Sequence, residues 1–345
     1  MRAVLVVNPA STTASPRTRE VLLAALEGEL KLDIVETTHR SHATELARQS
    51  RLDGVELVIA LGGDGTVNEV VNGLLDDGPR EDVPDLAVVP GGGTNVFARA
   101  LGIPRDPVEA TGALLTALRE RRRRSIGLGQ VDQRWFTFNA GLGWDAAVVT
   151  AVDRRRHESA KRDGPARSRA SDYFRAAIRS FFLDTDRRHP ALTVTFTDPS
   201  ALSEDPSAQS TARAVSADGG DGGDDAVDEL AELTGLHMVM VANTAPWTYL
   251  GARPIGPFPR ASFDHGLDLY GLRTLRTIST LRQARQVVSR RDVEPRGRAA
   301  VHRHDLGGFR VTAARPVALQ VDGEPLGERS EAVFRSVPDA LRVVC

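Results

Sequence analysis

Three short β-branched runs in the first hundred residues each end in a cluster of turn-forming residues. They read "AVLVVNPAS" from Ala3, "ELVIALGGDGTVNE" from Glu56 and "DLAVVPGGGTN" from Asp85. Apolar runs this short suit strands covered on both faces better than buried helices. Between and after them the spacing turns helical. Val21, Leu22, Ala25, Leu26 and Leu30 mark a helix over 17–31, "LDIVETT" reads as a strand, and "HATELARQSR" reads as a helix. Further helices are expected over 66–76, over "VFARALGI" up to Pro104, and over 107–121. Strands alternating with helices predict a parallel sheet wrapped on both faces. In such a sheet the carboxyl ends of the strands form one crevice, so the three clusters can converge on a single ligand.

Beyond about residue 125 the pattern changes. "RSIGLGQVDQRWFTFNAGLGW" reads as strand, two-residue turn at Asp132-Gln133, and strand. "ALTVTFTD", "GLHMVMVANT", "GLDLYGLR", "GFRVTAARPVALQVDGEPL" and "ALRVVC" are strand-like, with one helical insertion over 144–183. The 345 residues are enough for two domains. We expect a nucleotide-binding α/β domain over 1–125 and a β-rich domain over 126–345, whose last strands return to the first. Residues 199–232 are strongly acidic and of low complexity, and read as a disordered loop. Residues 153–188 carry eleven Arg or Lys against six acids. That excess is either a solvated helix face or a basic patch for anionic lipid or phosphate.

The formal net charge of −2 argues against a general nucleic-acid binder. The single cysteine, Cys345, cannot form an internal disulfide, which fits a reducing compartment. The apolar run of "MRAVLVVNPAS" is too short for a signal peptide, and no stretch approaches the roughly 20 apolar residues of a membrane span. A soluble cytoplasmic protein is expected, one that can touch the inner membrane face from outside. Whether it forms a homodimer is left open.

The glycines of "LGGDGTVNE" allow backbone N–H groups to approach a ligand, and the helix after them presents its positive end. Together they suit phosphate. Thr66 can cap that helix or bond the phosphate. Asp64 would repel a phosphate unless Mg²⁺ or a sugar hydroxyl stands between them. The alternative is a tight strand–helix turn with Asp64 as its cap. No Lys-Ser/Thr pair follows the glycines, and the third glycine of the dinucleotide fingerprint is missing.

"VVNPAS", "GGDGTVNEVVNGL", "PGGGTNVFARALGIP" and a late "VDGE" at 321–324 occur in this order. With "NAGLGWDAAVV" and "NTAPWTYLGARPIGPFPRASFDHGLDL" they resemble the diacylglycerol kinase-type lipid kinases. That family includes bacterial diacylglycerol kinases and sphingosine and ceramide kinases, and is distantly similar to NAD kinases. From "NTAPWTYLG" onward the sequence looks most like the actinobacterial branch. The resemblance implies an N-terminal Rossmann-like α/β domain and a C-terminal antiparallel β-sandwich, with the site between them.

It also implies residue roles. Asn8, Pro9 and Ser11 belong to the first nucleotide loop. Gly62, Gly63, Asp64, Gly65, Thr66, Asn68 and Glu69 form the phosphate cradle. Thr38 matches a threonine near the nucleotide. Gly92, Gly93, Thr94 and Asn95 form the third loop, where the family usually has Ser or Thr in place of Gly93. Glu324 is the general base facing the acceptor hydroxyl, with Asp64 as its partner in catalysis. Asp322 belongs to the metal network and Asp264 to a structural Mg²⁺ loop. Read without the resemblance, "DGE" is a hairpin turn and Asp264 an ordinary turn residue. His302 and His304 read as surface or core residues, and Trp144 and Trp247 as packing.

The implied activity is ATP- and Mg²⁺-dependent phosphorylation of a neutral lipid, diacylglycerol first, at a peripheral membrane surface. One rival is an NAD kinase, in which the aspartate of GGDG works near the acceptor hydroxyl. The other is a non-catalytic lipid- or nucleotide-binding regulator.

Overall fold

The computed structural model describes residues 1–9, 15–163, 189–196, 232–289 and 293–345. Ser11, the acidic stretch over 199–231 and the basic stretch beyond residue 163 lie outside them.

The first half alternates as its sequence requires. Strands β1 (Arg2–Val7), β2 (Lys31–Glu36), β3 (Leu57–Gly62) and β4 (Asp85–Pro90) are parallel, in the order β4-β3-β1-β2. Helices α1 (Pro16–Glu27), α2 (His42–Leu52), α3 (Asp64–Leu74), α4 (Val96–Ala100) and α5 (Pro107–Arg119) connect and follow them. Every residue of β3 and β4 is buried, because helices cover both faces. Leu22, Leu26 and Leu114 pack on one face, and Ala43, Val67, Val71 and Leu74 on the other. Ser15 caps α1 through Thr18 N, ahead of Pro16. Asp106 caps α5 through Val108 N and Glu109 N, ahead of Pro107.

Two boundaries differ from expectation. Helix α1 stops at Glu27, where Gly28 ends the turn before β2. Helix α3 begins at Asp64, two residues early, so Asp64 and Gly65 are part of the helix rather than of a preceding loop. The extended Gly63 is its N-cap and makes no side-chain bond, so Thr66 is not the cap.

The second half is mainly antiparallel. It contains β5 (Arg124–Val131), β6 (Arg134–Phe136), β7 (Asn139–Gly143), α6 (Trp144–Asp163), β8 (Leu192–Phe196), β9 (Leu233–Leu236) and β10 (Met238–Ala242). The hairpin β11 (Thr248–Leu250) and β12 (Arg253–Ile255) precedes β13 (Leu267–Leu272), α7 (Thr277–Val287), β14 (Ala300–Leu306), β15 (Gly308–Val321) and β16 (Glu324–Val343). The sheet runs β14-β13-β10-β7-β15-β16 and continues into β4.

Strand β16 makes that join. It pairs with β15 from Glu324 onward, with β5 near its end, and through Val343 lies parallel to β4 at Leu86. Its length is hidden in the sequence because "SVPDA" looks like a turn. In the structure Pro338 and Asp339, with Asp339 at φ +50°, form an irregularity between Val337 and Leu341, and pairing resumes beyond it. Val67, Val71 and Leu74 share one core with Ile126, Leu128, Trp135, Leu341 and Val343. That shared core fixes α3 against the second half.

Candidate active site

The three turn clusters meet, as their positions at strand ends require. Asn8 Nδ2 donates to Thr66 Oγ1 at 3.0 Å, tying the first loop to the first turn of α3. Gly91 N donates to Gly62 O at 2.7 Å, tying the third loop to the GGDG turn. Gly63 and Gly92 lie back to back. A Cβ added to Gly92 would be 2.7 Å from Gly63 Cα, and one on Gly62 would be 2.6 Å from Thr66 Oγ1. These contacts, rather than a positive φ, demand glycine. Asn95, at φ +49°, closes its loop by accepting from Gly92 N at 2.9 Å and donating to Gly92 O at 2.8 Å. Gly93 is exposed, with nothing within 4 Å of an added Cβ. Thr94 is half-buried beside it, and Pro9 is exposed at the end of the first loop.

Asp64 turns toward α4, where its Oδ1 accepts from Phe97 N at 3.2 Å. Burial pushes its carboxyl up to about 6, against the pull of the Val96, Phe97 and Asn95 N–H groups.

The "DGE" segment is a hairpin turn, and it also carries Glu324, the expected base, toward the cradle. Val321 pairs with Glu324 across Asp322 (φ +48°) and Gly323 (φ +80°), a two-residue loop with both φ positive. This turn sends the two carboxylates in different directions. Glu324 Oε1 lies where a Cβ on Gly65 would be 3.2 Å away, so Glu324 from the second half rests on the GGDG turn of the first. Arg134 Nη2 is 3.7 Å and Arg40 Nη2 4.0 Å from Glu324 Oε2. Burial raises the Glu324 pKa, Arg40 and Arg134 lower it, and Glu69 and Asp322 add to the rise.

Asp322 goes inward. Its Oδ2 accepts from Asn68 Nδ2, Thr137 N and Thr137 Oγ1, and its Oδ1 from Phe138 N and Asn139 N, all between 2.7 and 3.0 Å. Burial pushes its pKa up, opposed by these donors. Five donors leave no room for a metal, so Asp322 is a structural anchor rather than the expected ligand.

The family model described as "Diacylglycerol kinase catalytic domain" matches residues 2–131. That match covers the α/β part of the chain, little more than a third of its length. The "Diacylglycerol kinase" of Bacillus subtilis (strain 168) is 44% identical over 108 residues, 31% of this chain and 33% of that protein. The "Probable lipid kinase YegS-like" of Chromohalobacter salexigens is 35% identical over 137 residues, 40% of this chain and 42% of that one. The chain thus spans between a third and a half of these relatives' length. A crystal structure of a diacylglycerol kinase from Bacillus anthracis str. Sterne superposes with a TM-score of 0.62 at 17% identity, covering 99% of this chain and 96% of that one. That likeness extends the shared fold to the second half.

Within this fold several expected residues serve other contacts. Asp264 is exposed and takes a two-oxygen salt bridge from Arg124 Nη2, at 2.8 and 3.0 Å, so it does not fit a protein-built Mg²⁺ site as it stands. Glu69 is engaged by the start of α2. Its oxygens accept from Ser41 N and Ala43 N and so cap α2. Asn68 is buried, donating to Asp322 and to Trp135 O at 3.0 Å. Thr38 N donates to His42 Nδ1 at 3.1 Å. His302 Nε2 meets Pro295 O, and His304 Nδ1 meets Asp268 Oδ1.

The sequence reading passed over Arg40, Arg134 and Asn72. Asn72 exchanges bonds with the Trp135 backbone at 3.0 and 3.1 Å. Asn68 and Asn72 stand four apart on an otherwise Val- and Leu-rich helix, and that buried polar stripe was the available signal. Nothing in "DQRWF" marks Arg134, because its partner is distant in the chain.

Proposed function

We propose that the chain is an ATP- and Mg²⁺-dependent lipid kinase that phosphorylates the hydroxyl of a neutral lipid, diacylglycerol first, to give phosphatidic acid. The observation that carries this reading is Glu324 resting on Gly65. A carboxylate from one half reaches the phosphate cradle of the other, where donor and acceptor must meet in line.

The glycine turns at the ends of β3 and β4 let backbone approach the phosphates, and the N-terminus of α3 favours their charge. Arg40 and Arg134 add positive charge beside the transferred group. Glu324 accepts the proton of the attacking hydroxyl. The nucleotide fits this cradle. A dedicated Mg²⁺ cage built on Asp264 and Asp322 does not, so the ion would be held chiefly by the phosphates, as is usual for Mg²⁺. When bound, Mg²⁺ would neutralise phosphate charge.

Asp64 bonds to the α4 backbone, which favours the lipid kinase over an NAD kinase, where this aspartate must face the acceptor. The deciding experiment is transfer from labelled ATP to a lipid panel and to NAD, with Glu324→Gln alongside. Transfer to diacylglycerol that falls about 10²-fold or more in the variant is expected. Transfer to NAD alone would support the rival kinase, and nucleotide binding without transfer to any acceptor would support a regulator.

A further inference from the structure

Helix α7 is built the reverse of a core-packing helix. The residues it buries are Thr280 and Gln283, whereas Ile278 and Leu281 are 85% and 65% exposed. Polar groups hold it in place. Gln283 accepts from Tyr270 Oη at 3.4 Å and donates to Arg296 O at 3.2 Å, and Gln286 exchanges bonds with the Arg296 backbone. Ile278, Leu281, Arg285 and Val288 fall on one stripe at helical spacing, and Val288 is also exposed. The β11–β12 hairpin stands at the end of the helix, with Arg253 Nη2 donating to Val288 O and exposed Leu250 paired with Arg253.

The charge along this helix has one sign. Between Arg273 and Ser289 lie Arg273, Arg276, Arg282 and Arg285 and no acidic residue. A single exposed leucine is ordinary, but an apolar stripe framed by arginines is the pattern of a helix lying in an anionic interface. A second copy of the chain suits it less, because a two-fold contact would stack arginine on arginine.

We propose that α7 docks on an anionic bilayer, seating Ile278, Leu281 and Val288 among the acyl chains with Arg282 and Arg285 on the headgroups. This deepens the lipid-kinase reading by naming the surface that meets the lipid's own membrane, and it differs from the basic stretch over 153–188.

The test is co-sedimentation of the full chain with phosphatidylcholine vesicles with and without phosphatidylglycerol, in the absence of ATP and diacylglycerol. Binding to the anionic vesicles is expected, reduced roughly tenfold or more in Ile278→Ser/Leu281→Ser and in Arg282→Ser/Arg285→Ser. Both pairs are exposed, so unchanged thermal melting checks the fold. The proposal is overturned if the parent ignores anionic vesicles or if both variants bind like the parent. It is also overturned if only Arg154→Ser/Arg155→Ser weakens binding, or if Ile278→Ser/Leu281→Ser only converts a dimer to a monomer in sedimentation. Transfer to a soluble short-chain diacylglycerol separates the two readings. Vesicle binding without transfer defeats the kinase reading alone, and transfer without vesicle binding defeats the docking alone.

Discussion

Arg134 Nη2 lies 3.7 Å from Glu324 Oε2 and also donates to Asn68 Oδ1, so one guanidinium ties the candidate base to α3. Its Nε is buried without a hydrogen-bond partner, so its head group is committed through the terminal nitrogens. Removing the cation leaves burial as the main influence on Glu324 and raises its pKa further. A general base works only when ionised, so activity rises as pH rises through that pKa. Arg134→Gln should therefore move the acid limb of the kcat/KM profile to higher pH, with the plateau less affected, and Arg134→Lys should move it part of the way back. A profile that falls uniformly, with its limb in place, would assign Arg134 to phosphate contact alone.

Gly65→Ala separates folding from catalysis. Alanine favours a helix over glycine by about 1 kcal/mol, so stability should hold or rise. The new Cβ would stand 3.2 Å from Glu324 Oε1 and press the base away. The shift needed is a few tenths of an ångström, so the rate should fall by less than the roughly 10²-fold of a 1 Å misplacement. Gly93→Ser is the paired control. Nothing lies within 4 Å of its added Cβ, so folding should be unchanged and the nucleotide KM should hold or fall. Melting curves and steady-state kinetics on both variants would read these effects.

Asp322 is expected to be a stability residue. Asp322→Ala strands five buried donors and should cost about 3–5 kcal/mol in urea unfolding. Added Mg²⁺ should not restore the loss. Restoration by Mg²⁺ would return Asp322 to the metal network.

Asp145 allows a pH test away from the cradle. It is buried, accepts from Gln320 Nε2 at 3.0 Å, and its carboxyl is pushed by burial from 3.8 to about 6. Between those values the folded state binds more protons than the unfolded one, so stability falls as pH rises, by about 3 kcal/mol for this group across the window. Asp145→Asn keeps the acceptor and removes the ionisation. Its unfolding free energy should lose this decline between about pH 4 and 6, leaving the variant flatter than the parent in denaturant titrations at a series of pH values.

The alternation of strand and helix through residue 119, the mainly antiparallel second half and the convergence of three turn clusters were legible in the sequence. Each rests on local periodicity, and the carboxyl ends of parallel strands share one edge by topology. The two readings of "DGE" proved compatible, because an Asp-Gly turn with both φ positive is also what aims Glu324 at Gly65. Tertiary structure alone decided which carboxylate rests on the cradle and which are held elsewhere. Asp322 is held by Asn68, 254 residues away in the chain, Asp264 by Arg124, and Glu69 by the start of α2. It alone also carried β16 past Pro338 into the first sheet and left Ile278 and Leu281 facing outward. A spacing rule encodes which side of an element a residue takes, and not which distant backbone will supply the hydrogen bonds that occupy it.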